Sequence, residues 1–402
     1  MERLVTSNLK LGIIAGGQLG KMLIQEASKW DIITYILDQD VECPARSIAS
    51  HFIQGSNLDY DDVYRFGKMV DVLTFEIENI NIDALKRLKA EGVVVKPDPD
   101  ILELIQDKGL QKEFYLRNHI PTSPFRLTDS ATLVNQLNSS GPGHRSPATT
   151  PGQPAPFSFP FVQKLRKGGY DGRGVAVIDS SDDLGKLLEG ASVIEEKVDI
   201  AKEISVIVAR NKKGEVRCFP VVEMTFDPQA NLVDKLLCPA VIPAEQAAEA
   251  QQLATRIIES LKMEGLLAVE FFIDRQNRVI VNEIAPRPHN SGHHTIESIV
   301  TSQFEQHLRA ILELPLGSTC LKLPSVMINI LGAEGHEGPV KYEGLTESMA
   351  IEGVKIHLYG KKITKPFRKM GHITVLSGSQ EEALKKASSV HQLIKVTAWK
   401  EK

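Results

Sequence analysis

The chain has 402 residues, 42% of them apolar, and carries 47 basic and 51 acidic side chains for a formal charge of −4. This is ample material for a buried core and too long for one ordinary domain, so two or three domains are expected. Nothing in the near-balanced charge points to a bulk polyanion partner such as DNA, and any nucleotide must be held by local groups.

Residues 9–15 read as a short buried strand, Gly16-Gly17-Gln18-Leu19-Gly20 as a turn, and 21–28 as the start of a helix. Further strands are expected at 32–37, ending at Asp38, at 70–75, leading into Glu76-Ile77-Glu78-Asn79, and at 93–95. Strands alternating with helical stretches predict a parallel sheet in an open α/β domain ending near residue 105. Residues 104–118 read as one helix, broken by the prolines Pro121 and Pro124. Residues 138–159 are packed with Ser, Pro, Gly and Thr and cannot bury apolar area, which suits either a surface insertion or a linker. Strands at 161–165, 191–196 and 204–209, a helix over 243–262 and a hairpin over 266–284 follow. Strand-like runs at 326–331, 354–358 and 373–375 predict a small terminal domain from about 320.

The four cysteines, Cys43, Cys218, Cys238 and Cys320, are far apart and form no C-x-x-C, as for free thiols in a reducing compartment. The N-terminal residues lack a secretory h-region, and no apolar run approaches the roughly 18 residues of a spanning helix. A soluble cytoplasmic protein with no membrane partner is the expectation.

The first glycine turn follows a strand and opens a helix, which suits a phosphate or dinucleotide. Asp38 stands where a ribose-binding acid would. Yet Ala15 breaks the G-x-G-x-x-G pattern. Plain βα packing and a phosphate group on Gly17, Gln18 and Leu19 remain alternatives to nicotinamide binding. The second run, Lys167-Gly168-Gly169-Tyr170-Asp171-Gly172-Arg173-Gly174, has basic flanks at Lys164 and Arg166. Glycines let backbone N–H groups close on a ligand, and this run is no Walker A loop, so it reads as a flexible phosphate lid between two strands or as a loose turn.

In the predicted hairpin, Glu270 falls opposite Asn282 or Glu283, and directly opposed side chains sit about 5 Å apart. Two carboxylates that close repel unless a cation lies between them, so Glu270, Asn282 and Glu283 suit Mg²⁺, which takes one or two carboxylates plus phosphate oxygens. The alternative, two acids facing solvent, sits poorly with the apolar neighbours Val269, Phe271, Ile273, Val279 and Val281. In Ala285-Pro286-Arg287-Pro288-His289-Asn290-Ser291-Gly292-His293-His294, Pro286, Pro288 and Gly292 exclude the regular helix on which histidines four apart would converge on zinc. Arg287, His289 and Asn290 better suit an anionic substrate.

These residues together resemble the N5-carboxyaminoimidazole ribonucleotide synthetase family, ATP-grasp carboxylases of purine biosynthesis. The resemblance rests on both glycine runs, on Asn282-Glu283 with Arg287 to His293, on Thr301 to Ala310, and on Arg368-Lys369-Met370-Gly371-His372. It implies an α/β ATP-grasp fold with an N-terminal Rossmann-like domain (1–105), an ATP-grasp domain (106–318) and a small β-rich C-terminal domain (319–402). It implies that Lys108 and Lys164 contact ATP phosphates under a loop from Gly169 through Gly172 and Gly174 to Val175. The strand exit Glu195, Glu196, Lys197 and Val198 would read adenine, Glu203 the ribose, and Asn282 with Glu283 the phosphate end. Glu270 and Glu283 would hold Mg²⁺. Tyr170, Asp171, Arg173 and His289 would face the aminoimidazole ribonucleotide and the carboxylating species, with Gly17, Gln18, Leu19, Glu76, Arg287 and Asn290 lining its site. Lys361 and Arg368 would clamp its phosphate.

The implied reaction is ATP- and bicarbonate-dependent carboxylation through carboxyphosphate, in a homodimer, with Asp171 or a neighbour accepting the proton. Three features depart from the family. The Pro-rich stretch is unusual, Phe226 stands where some members have histidine, and Lys365-Pro366-Phe367-Arg368-Lys369 stands where many read Arg-x-Gly-Arg-Lys. Rival readings are another ATP-grasp enzyme, such as the ATP-using glycinamide ribonucleotide formyltransferase, a nicotinamide dehydrogenase built on the first turn, and a non-catalytic nucleotide sensor.

Overall fold

The computed structural model describes residues 7–129, 159–169, 174–227 and 232–399. The chain divides into two compact units, Met1–Leu102 with Lys202–Glu270 and Ile284–Lys402, and Glu103–Ala201 with Phe271–Glu283.

The first unit begins with β1 (Lys10–Ile14), α1 (Gln18–Ala27), β2 (Ile33–Asp38), β3 (His51–Gln54), α2 (Tyr60–Gly67), β4 (Val72–Phe75), α3 (Ile82–Ala90) and β5 (Val94–Val95). The strands form one sheet in the order β3-β2-β1-β4-β5, and every pairing is parallel. β1 and β4 are buried along nearly their whole length, which is why their sequences are continuous apolar runs rather than alternating ones. One face packs Leu19, Leu23 and Ile24 of α1; the other packs Val63 and Phe66 of α2 with Leu85 and Leu88 of α3. This is the parallel sheet of an open α/β domain expected from the sequence, with helices on both faces.

Helix α4 (Pro99–Gln106) leads into the second unit, which contains α5 (Lys108–Arg117), β6 (Phe125–Thr128), β7 (Phe161–Leu165), β8 (Val175–Ile178) and β9 (Ser192–Glu196). The single helix expected over 104–118 is two. Asp107 breaks it with φ −115° and ψ 106°, and its carboxylate accepts from the Gly109 and Leu110 N–H groups at 2.8 and 3.3 Å, an N-cap for α5. The strands form an antiparallel sheet, β6-β9-β7-β8. The Pro-rich stretch lies outside the described residues except for Phe159.

The chain continues with β10 (Ile200–Arg210), β11 (Val216–Cys218), β12 (Val222–Asp227), β13 (Leu232–Cys238), α6 (Ala244–Ser260), β14 (Gly265–Asp274) and β15 (Val279–Ala285), of which Phe271–Glu283 belongs to the second unit and the rest, from Lys202 on, to the first. Pro243 occupies the N-cap of α6, where its missing N–H costs nothing. The β14–β15 turn is organised by Asp274, which accepts from the Gln276 and Arg278 N–H groups at 3.0 and 2.8 Å and from Arg278 Nε at 2.7 Å. Short helices α7 (Thr295–Ser298) and α8 (Gln303–Ile311) follow. After them come β16 (Ser325–Leu331), β17 (Gly338–Glu343), α9 (Leu345–Met349), β18 (Val354–Leu358), β19 (Ile363–Thr364), β20 (Lys369–Leu376), α10 (Gln380–Leu393) and β21 (Lys395–Ala398). A large sheet runs β14-β10-β12-β13-β16-β20-β18, so the terminal strands expected from about 320 extend a sheet begun far upstream. α10 covers β16 and β20 with Ala383, Ala387 and Val390. Among the described residues, no helix is long and apolar enough to cross a membrane.

Candidate active site

In the second unit, a small open pocket is lined by Lys108, Lys164, Glu195, Asn282 and Glu283 with other residues of α5. Lys108 opens α5 because Asp107 caps it, and Asp107 also takes a bidentate grip from Arg166, Nε and Nη2 both at 2.8 Å. The Lys108 N–H donates to Arg166 O at 2.9 Å, so the helix start and the end of β7 are tied together. Burial works against the charge of Asp107, but Arg166 and the two amides outweigh it and hold its carboxyl below the usual range.

Lys164, on β7 opposite Val193 of β9, donates from Nζ to Asn282 Oδ1 at 2.9 Å. Lys108 Nζ donates to Glu283 Oε2. Thus two of the lysines and both residues of the Asn-Glu pair predicted from sequence share one pocket. The lid predicted between two strands starts after β7 and ends at β8, closed by Lys164 opposite Val175 and by Leu165 N–H on Gly174 O at 2.8 Å. Gly168 and Gly174 have φ of +79° and +74°, which only glycine adopts freely. Tyr170, Asp171, Gly172 and Arg173 lie outside the described residues; Gly169 is half-buried.

β9 ends at Glu196, so Lys197 and Val198 form the strand exit foreseen. Glu195 faces inward instead. Its carboxylate lies 3.1 Å from both Lys164 and Lys112. Burial opposes its charge, yet the two ammoniums prevail and hold its carboxyl below the usual range. Glu196 is exposed, and its carbonyl accepts from Ser123 Oγ at 2.7 Å. Lys197 pairs with Asp179 at 2.6 Å on the surface.

In the first unit, the glycine turn has a partner of its own. The buried Glu76 carboxylate accepts from the Gly17 and Gly20 N–H groups. Burial pushes its carboxyl up to about 7, against the pull of the two amides and Arg287. Asp38 accepts from the Gly16 and Asp40 N–H groups at 2.7 and 2.8 Å, which makes it a loop brace. Ala15 takes φ 71°, the left-handed conformation for which the dinucleotide pattern supplies glycine. Gln18 and Leu19 form the first turn of α1.

Arg287 pairs through Nη2 with Glu78 Oε1 at 3.0 Å, while its buried Nε has no partner among the described residues. His289 Nδ1 receives the Ser291 N–H at 3.3 Å, so the proton sits on Nε2, which faces Glu270 Oε1 at 3.5 Å. Gln303 holds the same loop by accepting from His289 N–H at 2.9 Å and donating to His289 O at 2.7 Å. Asn290 starts a single 3₁₀ turn ending at Gly292. His293 and His294 are buried, with side-chain partners Gln303 and Ser298. Glu203 lies on β10 opposite Met224.

Lys361 Nζ donates to Lys369 O at 2.8 Å and lies 5.6 Å from the Tyr359 ring centroid. Arg368 Nη1 donates to Ile363 O at 2.7 Å. Lys21 of α1 reaches Tyr359 O at 3.1 Å, which adds a cation that sequence reading passed over because it looked like an ordinary solvated helix residue. Lys112 was passed over for the same reason. Phe367, which stands where many family members have glycine, has φ 62°. A side chain in the left-handed region costs about 1–2 kcal/mol. Phe367→Gly is therefore expected to raise stability by up to about 1 kcal/mol, read from urea unfolding, since the exposed ring gives back little contact energy.

Comparison with known proteins accounts for most of the chain. Residues 9–106 match the ribonucleotide synthetase preATP-grasp domain, 146–304 the ATP-grasp domain, and 325–386 the phosphoribosylaminoimidazole carboxylase C-terminal domain. The chain is 36% identical to the chloroplastic phosphoribosylaminoimidazole carboxylase of Vigna aconitifolia over 92% of its own length, and spans 64% of that protein's length. It is 36% identical to the N5-carboxyaminoimidazole ribonucleotide synthase of Staphylococcus aureus, covering 91% of this chain and 92% of that one. The crystal structure of the Thermotoga maritima N5-carboxyaminoimidazole ribonucleotide synthetase superposes with a TM-score of 0.87 at 43% identity, covering 97% of this chain and 100% of that one. The Aspergillus clavatus N5-carboxyaminoimidazole synthase, solved with ADP and 5-aminoimidazole ribonucleotide, gives 0.83 at 30% identity over 96% and 98% of the two chains. With this identity over nearly the full length of both chains, the protein belongs to the N5-carboxyaminoimidazole ribonucleotide synthetase family of ATP-grasp proteins.

Proposed function

We propose that this protein is an ATP-dependent carbon–nitrogen ligase that carboxylates the exocyclic amine of 5-aminoimidazole ribonucleotide with bicarbonate, as a step of purine biosynthesis. The observation that carries the reading is the convergence of Lys108, Lys164, Asn282 and Glu283 on one pocket, in a chain related along its length to synthetases of that name. The family resemblance supports a cytoplasmic homodimer.

In this reading, a bicarbonate oxygen attacks the γ-phosphorus of ATP and ADP leaves. Carboxyphosphate then breaks down to CO₂ and phosphate, and the amine nitrogen attacks the CO₂ carbon and loses a proton. Phosphoryl transfer needs positioning and charge neutralisation rather than covalent help. Lys164, fixed by Asn282, and Lys108, fixed by the Asp107 cap, supply positive charge at set places. Glu270 and Glu283 offer the hard oxygen donors that Mg²⁺ takes, and Glu283 stands partly open, 42% exposed, at the pocket. When bound, that ion neutralises phosphate charge.

His289, its Nδ1 taken by Ser291 and its backbone held by Gln303, presents an N–H donor, and Arg287 supplies an Nε with no partner among the described residues. Both suit the oxygen-rich ribonucleotide. Tyr170, Asp171 and Arg173 belong to the proposal through the resemblance alone. Phosphate release from MgATP and bicarbonate is expected to rise severalfold on adding 5-aminoimidazole ribonucleotide. A rate unmoved by the ribonucleotide would overturn this substrate while leaving ATP-grasp chemistry in place.

A further inference from the structure

The pocket of the second unit holds a charged group that the phosphate-binding set leaves without a role. Lys112 follows Lys108 by one helical turn, so both project from the same face of α5. Its side chain is only 4% exposed. Nζ contacts Glu195 Oε1 at 3.1 Å, donates to Thr122 Oγ1 at 2.6 Å, and lies 5.9 Å from the centre of the Phe125 ring. Glu195, equally buried, turns its other oxygen to Lys164 at 3.1 Å. Thr122 Oγ1 in turn donates to Val281 O at 3.0 Å, directly before Asn282.

A lone Lys164–Glu195 pair would be neutral, and a buried carboxylate with one partner would draw that ammonium onto both of its oxygens. With Lys112 present, the pocket has three lysines against two glutamates, Glu195 and Glu283, and keeps one net positive charge. We propose that Lys112 is a positioning residue for the nucleotide grip. It takes up one side of Glu195, so that Lys164 keeps a free share of positive charge for a polyphosphate. This rests on the ATP-binding reading and adds to it a residue that touches neither phosphate nor metal.

The surroundings of Lys112 support a role for its charge. Burial pushes its ammonium down to about 8; Glu195 on β9 raises it, while Lys164 on β7 and Lys108 on its own helix lower it further. Thr122 and Phe125 face it as neutral groups, and Tyr115 and Glu283 line the same pocket. A bound polyanion favours the charged form. Nucleotide affinity therefore falls as pH rises through about 8, since the free protein loses the proton there.

The test is calorimetric binding of ADP with MgCl₂, without ribonucleotide or bicarbonate. K112M is expected to weaken binding about tenfold, the effect of removing one charge roughly 10 Å from a phosphate at an effective dielectric of about 20. K112R, whose guanidinium stays charged, is expected to restore most of the affinity and to flatten the loss seen in the wild type between about pH 7 and about pH 9. A folded K112M with wild-type affinity would overturn the proposal. So would a wild-type affinity that does not change over that pH range, a measurement that does not depend on K112M folding. Failure of the wild type to bind ADP at all would instead sink the ATP-binding reading itself.

Discussion

Glu283→Ala is expected to lower ATP turnover at least about a hundredfold while leaving metal-free ADP binding intact or tighter. The two readouts separate because Glu283 has two jobs in the proposed site. Its carboxylate holds Lys108, and it is one of the two acids read as Mg²⁺ ligands. Removing it frees a cation for the nucleotide, which favours binding. It also removes an oxygen donor from the metal, which the chemistry needs. Excess chelator should mimic the turnover defect in the wild type and add little to it in the variant. Phosphate release near the wild-type rate in Glu283→Ala would refute the proposed metal role.

Asp107→Ala is expected to destabilise the second unit by about 2–4 kcal/mol, read from urea unfolding, and to raise the KM for ATP. One buried carboxylate caps α5 and clamps Arg166, so its loss leaves two helix amides and a half-buried guanidinium without their partner. Lys108, the first residue of the capped helix, loses the cap that places it. Asp107→Asn should lose less, because the cap survives. The pH dependence has a defined sign. The folded carboxyl lies below its ordinary value of about 4, so its stabilisation is complete above that value and disappears as pH falls through the folded one. A wild-type urea midpoint in Asp107→Ala would contradict this account.

The parallel sheet of the first unit was legible because β1 and β4 are buried apolar runs, with the half-buried β2 between turn signals. The Asn282-Glu283 pair was legible because hairpin geometry is local and the polar turn at Asp274 fixes it. The α4–α5 break was not. Asp107 inside an apolar-periodic stretch is no more than a weak helix residue until Arg166, 59 positions away, fixes its carboxylate. Lys112 was hidden likewise, since its burial depends on Thr122, Phe125 and Glu195 from three other segments. Glu195 was placed correctly at the end of its strand. The sequence could not tell that its side chain turns inward to the lysines rather than outward with Glu196.

Glu76 gives the glycine turn a built-in competitor. Two amides at a helix start attract any passing phosphate, and in many α/β sheets that attraction is the cofactor site. Here a carboxylate of the same chain already sits on the Gly17 and Gly20 amides, beneath a turn braced by Asp38. The donors that such a turn offers are thus satisfied from within the chain, and with burial pushing the Glu76 carboxyl up to about 7, the turn has a fully charged acceptor only above that pH.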